Sequence, residues 1–533
     1  MAVDTKVAAE ISIERQMLKR SLTLLPLFGI IFFTVCGGTF GIEGLFASGA
    51  GMALLLICIT PIVYSIPNML MVRELQSMMP VEGSYYHWTK QAFGPGTGFL
   101  TGWMNWVMSW VDVSIYPVLA VTYLGYWFPV IDNGTSWLPA WAVQWIIAIV
   151  IIWLISLLQM RGAKLAGLTS VWLGAILLIP IVIMTVVGFY NWGAHGSSFQ
   201  MSFLPTGTGA YDAFALGLWV VMWNYMGWEL PTSAGDEIVK PKRTYPLAML
   251  LVLIAAVAVY LLPTVASMYG GAGDDGKYAL WGIEASDESV GIGPDLEAAG
   301  MTPDQIQAAG VDTTAAEGWF LPDMGRAVAE KATGTGSGFA GFLGTFLTIG
   351  AVLSMLGLFI GNSVSSTRVP FALSEDGMMP KALVRVHRKW GTPFMAIILC
   401  GVLFTVFSVN KFSSLVVIDV LLNSLTLLLQ FAALWRLRFT RPDVPRNKIP
   451  GGWAGLVIAT ILPAAIICLA IYWQVRDEGL WAIWGALITV GAGIVMYFVM
   501  KFWVKPGVPD IDPFVLGDGH GEAEPVPVRV TPR

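Results

Sequence analysis

Residues 36–44 read CGGTFGIEG and interrupt the apolar run LTLLPLFGIIFFTV that begins at Leu22. In hydrocarbon every backbone N–H and C=O must be satisfied within the protein, so unwound chain at membrane depth survives only where it is buried or lines a cavity. Three glycines and a carboxylate, Glu43, near the middle of a span therefore predict a broken helix whose freed backbone groups face a ligand. A second interruption, WNYMGWELP at 223–231, stands in the middle of the sixth apolar run. Breaks in spans 1 and 6 are five spans apart, and an odd number of crossings inverts the second unit relative to the first. The pattern predicts an inverted repeat, spans 1–5 against spans 6–10, whose discontinuous helices meet at a binding site near the bilayer midplane. Freed N–H groups and half-helix N-termini there suit a carboxylate, and freed carbonyls and half-helix C-termini suit an ammonium or another cation.

Composition agrees with a membrane class. Of the 533 residues 56% are hydrophobic and only 12% charged, with mean hydropathy +0.69, whereas soluble domains carry about 25% charged residues. A bilayer core about 30 Å thick needs about 20 apolar residues per helix. Twelve such runs occur, at approximately 22–48, 51–79, 97–128, 139–160, 166–192, 208–234, 245–269, 337–367, 393–410, 413–435, 453–475 and 480–503. The fold expected is an all-α integral membrane protein, with a five-plus-five inverted repeat followed by two helices. Repeat one covers about 22–192, repeat two about 208–435 and the added helices about 453–503.

Lys and Arg concentrate on the cytoplasmic side of membrane proteins. With the N-terminus inside, the inner segments hold 25 of the 30 basic residues and the outer ones only Lys277, Arg326, Lys331, Lys411 and Arg476. Both termini are therefore expected in the cytoplasm. Residues 1–21 carry Lys6, Glu10, Glu14, Arg15, Lys19 and Arg20 without a small-residue cleavage pattern, and read as a cytosolic tail rather than a signal peptide. Residues 270–335 read as one long acidic extracellular loop, with a short helix at MTPDQIQAAG. Residues 506–533, rich in Pro and acidic residues, read as a disordered cytosolic tail beyond a transporter domain at 22–505. Cys36, Cys58, Cys400 and Cys468 lie in apolar runs and suggest no disulfide framework.

Glycines in spans also serve close helix packing, the role assigned to Gly94, Gly98 and Gly102. Gly37 and Gly41 share that spacing, but a carboxylate follows them and a matching break stands five spans later. An Asp at a helix centre costs about 2.5–3.5 kcal/mol on insertion scales, so intramembrane carboxylates usually face a cavity or a partner. Glu43, Asp112 in SWVDVSIYP and Glu229 after the second break qualify, and are the expected ion-coupling groups, Glu43 first, then Glu229 and Asp112. Arg73 and Glu74, near the inner end of span 2, read instead as a gating or snorkelling pair. Phe40, Tyr116, Trp219, Trp223, Tyr225 and Trp228 cluster beside the breaks. Carboxylates and aromatic faces at one depth suit a cationic or amine-bearing substrate.

Signals for other chemistry are weak. GAGDDGKY at 271–278 has P-loop spacing, but Tyr278 replaces the magnesium-binding hydroxyl residue and no strand and helix flank it. His87, His195, His387 and His520 have no partners at metal-ligand spacing, and no nucleophile–base pair is visible. No enzyme activity, metal, cofactor or nucleic-acid partner is expected. Transport must then draw on an ion gradient or on exchange.

Five stretches resemble the amino acid–polyamine–organocation permeases, and within them the branch of polyamine and amino acid proton symporters. They are GGTFGIEG in span 1, SIPNMLMVRELQSMMPVEGSYYHW after span 2, GWMNWVMSWVDVSIYPVL in span 3, WELPTSAGDEIVKPKRTYPLAM across spans 6 and 7, and STRVPFALSEDGMMPKALVRVHRKWGTP between spans 8 and 9. The resemblance runs from about residue 22 to 505. It implies the five-plus-five fold of LeuT type, with substrate cradled by spans 1, 3, 6, 8 and 10. By position it implies a backbone cradle at Gly37, Gly38 and Gly41 with Thr39 and Phe40, an acidic group at Glu43, a third-span contact at Tyr116, and an aromatic–acid pair at Trp228 and Glu229 beside Trp223, Asn224 and Tyr225. The reading is a plasma-membrane secondary active transporter importing an amino acid or polyamine, with protons as the coupling ion. Sodium is the alternative, through the hydroxyls of Ser363, Ser365 and Ser366. Spans 1, 2, 6 and 7 would rock against 3, 4, 8 and 9. Exchange of an amino acid for its amine, or a nutrient receptor that binds without turnover, are the competing functions.

Overall fold

The computed structural model describes residues 21–503 except 126, 129, 206–208, 275–277, 279, 282–290, 299–300, 309–312, 314–319, 410–411 and 479–480. The expected tails at 1–20 and 506–533 lie outside the described residues.

Twelve helical segments follow the twelve apolar runs, labelled here by span: α1 Leu24–Val35, α2 Ala50–Met78, α3 Pro95–Gly125, α4 Ala140–Met160, α5 Ala163–His195, α6 Ala210–Asn224, α7 Pro241–Ala272, α8 Gly338–Glu375, α9 Phe394–Phe407, α10 Phe412–Thr440, α11 Gly452–Glu478 and α12 Trp481–Trp503. Nine of them are long and apolar enough to cross a bilayer unaided, and α1 and α9 are shorter apolar helices. The chain is an all-α membrane protein, and the β-pairing among the described residues is two isolated bridges, Leu22 with Ile238 and Glu82 with Ala234.

Spans 1 and 6 are discontinuous. α1 ends at Val35, residues 37–41 are non-helical, and a six-residue 3₁₀ turn, Glu43–Ser48, completes the span. α6 ends at Asn224, and the 3₁₀ turns Leu230–Ser233 and Gly235–Glu237 follow. Each broken span is thus a longer helix, a break and a short tight turn. In an inverted repeat the short part of span 1 lies outside and that of span 6 inside. The glycines carry the reversal: Gly37, Gly38, Gly41 and Gly227 have φ of +61°, +105°, +90° and +92°, values that residues with a Cβ rarely adopt.

α8 lies at the centre, packed on α1, α3 and α5, and α1 in turn packs on α5 and α7. Close approach at these crossings depends on small residues. A Cβ on Gly361 of α8 would sit 3.0 Å or less from backbone of α1, and one on Gly167 of α5 2.8 Å from Pro26. α4, α5, α11 and α12 instead turn Leu154, Trp172, Val182, Ile461 and Ile488 outward, the apolar exposure a lipid-facing surface requires. Within the outer loop, helices Gly293–Ala298, Pro303–Ala308 and Leu321–Thr333 are described, the second at the position expected for MTPDQIQAAG.

Arg73 and Glu74 do not pair. Glu74 is buried and binds Arg438 of α10 through both oxygens, at 2.8 and 2.5 Å, and accepts a third bond from the Ile449 amide. Adjacent residues on a helix face different directions, so Glu74 turns inward to α10 rather than to its neighbour in sequence.

Candidate functional site

The two breaks meet. Asn224 Nδ2 donates to the Gly41 carbonyl at 3.0 Å, and the Tyr260 hydroxyl of α7 lies 3.1 Å from the carbonyls of both Cys36 and Asn224. Ser354 of α8 donates to the Gly37 carbonyl, and Thr39 Oγ1 to Val259 of α7 at 2.9 Å. The freed carbonyls are therefore largely engaged by protein. The amides of Gly38, Thr39 and Phe40, and of Gly227 and Trp228, have no acceptor among the described residues. Such amides can hold a carboxylate.

The carboxylates separate into two places. Glu43 caps the first break: its Oε2 accepts from the Gly41 amide at 2.6 Å, the amides of Ile42, Glu43 and Leu321 surround it, and Oε1 has no partner among the described residues. Leu321 begins the loop helix Leu321–Thr333, so Glu43 lies at the junction of break and outer loop. Asp112 of α3 accepts from the Tyr116 hydroxyl at 2.7 Å and from the Trp223 side chain, and Asn362 of α8 donates to Tyr116 at 3.3 Å. Glu229 accepts from Asn423 of α10 at 3.4 Å.

Tyr116, Trp223, Asn224 and Asp112 are thus brought together, with Glu229 on the α10 side. Phe40 stands edge-on to Tyr123, which is edge-on to Phe320, an aromatic stack leading to the outer loop. Tyr225 and Trp228 are fully buried and spend their polar edges on protein, Tyr225 donating to Ile57 of α2 and Trp228 to the Tyr225 carbonyl. In α8, Ser363 bonds to Phe359 and Gln159, Ser366 pairs with Ser109 at 2.6 Å, and Ser365 Oγ is buried without a partner among the described residues.

Both faces are closed over this region. At one end, Ser21 and Leu22 donate to the Glu237 carbonyl, Arg368 of α8 pairs with Glu237 at 2.8 Å, and Lys90 pairs with Asp376 at 2.7 Å. At the other end, Phe46 stacks on Trp281 at 4.0 Å, and Asn191 of α5 ties Gly270 to Val328. Lys331 binds Asp274 at 2.8 Å. Burial works against the Asp274 charge, but hydrogen bonds from Lys331 and Ser198 hold its carboxyl below the usual range.

One residue of this region escaped the sequence reading. Asp419 of α10 is buried, both its oxygens lack partners among the described residues, and the charges acting on it are those of Asp112 and Glu229. The signal was present in VVIDVLLNS at 416–424, an Asp inside an apolar run.

A family model described as amino acid permease matches residues 22–279 and 309–512. A protein of Arabidopsis thaliana named as a probable polyamine transporter is 28% identical over 491 residues, 91% of this chain and 89% of its own length. The polyamine transporter PUT1 of Oryza sativa subsp. japonica is 26% identical over 506 residues, 92% and 82% of the two chains. The polyamine transporter RMV1 of Arabidopsis thaliana is 26% identical over 455 residues, 84% and 79%.

Proposed function

This chain belongs to the amino acid permease family, and on that ground we propose that it imports an amine-bearing solute, a polyamine or an amino acid, by proton symport with alternating access. It is a multi-pass membrane transporter of small molecules, not an enzyme. The observation that carries the reading is the junction of the two breaks: the amides of Gly38, Thr39 and Phe40, without acceptors among the described residues, precede Gly41, which lies against the Trp223 ring, and Trp223 and Tyr116 both bond Asp112. Amides attract the carboxylate of an amino acid, and carboxylates with aromatic faces attract its amine or those of a polyamine. The names of the relatives favour the polyamine.

In this reading Gly37, Gly38, Thr39, Phe40 and Gly41 form the cradle, and Tyr116, Trp223, Asn224, Tyr225 and Trp228 its walls. Glu43, Glu229 and Asp112 carry the coupling protons. The basic residues of the inner segments support cytoplasmic termini, and the reading places the carrier in the plasma membrane. Closure on both faces, with its ion pairs confined to the rims, supports an occluded intermediate in a rocking cycle.

The test is labelled putrescine and labelled arginine uptake into proteoliposomes under an imposed pH gradient, with competition by a neutral amino acid and by glutamate. Inward acid-driven uptake inhibited by cationic amines is expected. Strong inhibition by glutamate with none by putrescine or arginine would overturn the cationic reading, and uptake that needs a counter-substrate instead of a gradient would make the protein an exchanger.

A further inference from the structure

The geometry points to a binding site for an anionic phospholipid in a tryptophan-walled groove between α3 and α12, with one acyl chain in the groove and the headgroup phosphate on Lys381 and Lys501. The inference goes beyond the transport reading and does not depend on which solute is carried.

The groove, about 330 Å³ in volume, has walls built from Trp103, Trp106 and Trp110 of α3 and Met496 and Met500 of α12. Two of the indoles are fixed through their polar edges: Trp103 Nε1 donates to the Thr489 carbonyl at 3.1 Å, and Trp106 Nε1 to Cys400 Sγ at 3.4 Å. Trp106 stands edge-on to Trp110 at 4.7 Å and to Trp103 at 5.9 Å between ring centres. The cleft is therefore formed before anything enters it, which lowers the ordering cost of binding. Every residue lining it is apolar, and the neighbouring α12 side chains Val495, Phe498 and Phe502 are exposed. A continuous apolar surface of this kind marks contact with lipid or with another apolar partner.

Charge at one end selects the lipid and its orientation. Successive spans alternate in direction, so α3 and α9 begin, and α8 and α12 end, on the same side of the bilayer. Pro380 and Ala382, on the connection from α8 to α9, line the groove and flank the exposed Lys381, and Met500 of the wall is followed by the exposed Lys501. Neither lysine forms an ion pair among the described residues. Lys501 Nζ lies 5.8 Å from the centre of the Tyr497 ring, and a Cβ on Gly96, in the first turn of α3, would sit 3.7 Å from Tyr497 Cζ. A phosphate at this mouth thus meets two cations and the positive end of a 31-residue helix. From the mouth the tryptophans run inward, Trp110 lying roughly four turns, or about 22 Å, beyond Pro95. A slot of that direction, apolar along its walls and cationic at its mouth, matches one chain and one phosphate of a phospholipid. A second copy of this protein fits less well, because copies in one bilayer share their orientation and would set basic end against basic end.

The test uses the full chain purified in an uncharged detergent, with dioleoyl phosphatidylglycerol against dioleoyl phosphatidylcholine, lipids of equal chains and different charge. Native mass spectrometry should show wild type retaining one phosphatidylglycerol in preference to phosphatidylcholine. A cation at the membrane surface is worth roughly fivefold in affinity, so Lys381→Gln with Lys501→Gln should weaken phosphatidylglycerol retention roughly 25-fold and leave that of phosphatidylcholine unchanged. Leu399→Trp, at a residue of α9 that also lines the groove, should fill it and lower retention of both lipids. Equal retention of the two lipids by wild type, a preference that survives the double substitution, or a lipid-free dimer overturns the site. Were Leu399→Trp to misfold, phosphatidylglycerol with a photoreactive chain end decides on wild type. Crosslinks to α3 between Trp103 and Trp110, or to α12 between Met496 and Met500, are expected, and crosslinks confined to other spans overturn the proposal.

Discussion

Asn224 donates from Nδ2 to the carbonyl of Gly41 at 3.0 Å, so two helix breaks 183 residues apart in sequence are joined by a direct hydrogen bond. The Tyr260 hydroxyl shares its one proton between the carbonyls of Cys36 and Asn224, each 3.1 Å away. Spans 1, 6 and 7 are thereby linked at the point where backbone is least supported by its own helices.

Tyr260→Phe tests that link. It removes the donor from two buried carbonyls and should cost about 1–3 kcal/mol, read as a lowered thermal midpoint in detergent together with slower uptake. An unchanged midpoint would mean that the carbonyls find other partners and that Tyr260 does not hold the breaks together.

Gly38→Val should abolish substrate binding while leaving membrane insertion intact. Gly38 has φ +105°, and a Cβ there would stand 3.0 Å from Leu177 Cδ1. A β-branched residue held in so unfavourable a conformation stores about 1–3 kcal/mol, and its methyl groups occupy the space beside the free amides. Uptake and ligand-induced thermal shift are compared at equal membrane levels, and normal transport by the variant would remove these amides from the substrate site.

Glu43→Gln keeps an oxygen to accept the 2.6 Å bond from the Gly41 amide but cannot carry a proton. Gradient-driven uptake should be lost, while exchange of internal for external substrate persists, because exchange never returns an empty deprotonated carrier. If uptake by the variant follows an imposed pH gradient as wild type does, the proton travels on another group, with Glu229 and Asp112 next in line.

The closure formed by Ser21, Leu22 and Glu237 should weaken as the pH on its side rises. Glu82, in the loop before helix Ser84–Phe93, is fully buried, and both carboxyl oxygens lack partners among the described residues. Burial pushes its carboxyl well above the ordinary range, the charges of Glu237 and Asp236 and more weakly Glu375 add to this, and Arg368 opposes it. The closed form therefore binds the proton more tightly than an open, hydrated form. Its stabilisation is complete below the ordinary carboxyl range and is lost as pH rises through the raised value. Hydrogen-exchange protection of the Leu22 and Val239 amides, which bond across this seam, should fall with pH in wild type and stay level in Glu82→Gln. The same pH dependence in both proteins would place the titrating group elsewhere.

The breaks were legible because they are local backbone chemistry. Clustered glycines and polar residues inside a 20-residue apolar run cannot continue a helix in lipid without cost, whatever surrounds them. Span number is read from run length in the same way, and α1 to α12 follow the twelve runs. Asp112 and Glu229 were legible as costly charges at membrane depth, and Asp419 carried the same signal in VVIDVLLNS.

What sequence could not supply is which groups face one another. Glu43 and Glu229 both follow a break, yet Glu43 is taken up by the amides of its own turn and Leu321, while Glu229 reaches Asn423, 194 residues away. Glu74 passes over Arg73 for Arg438, the Tyr225 hydroxyl turns to the Ile57 carbonyl, and the Trp228 indole N–H turns to the Tyr225 carbonyl. Apolar content and glycine spacing are properties of the chain at each position. The direction of a side chain around a helix gains meaning only when other helices pack against it, and in this protein α8 and α10 decide where the carboxylates of spans 3 and 6 point.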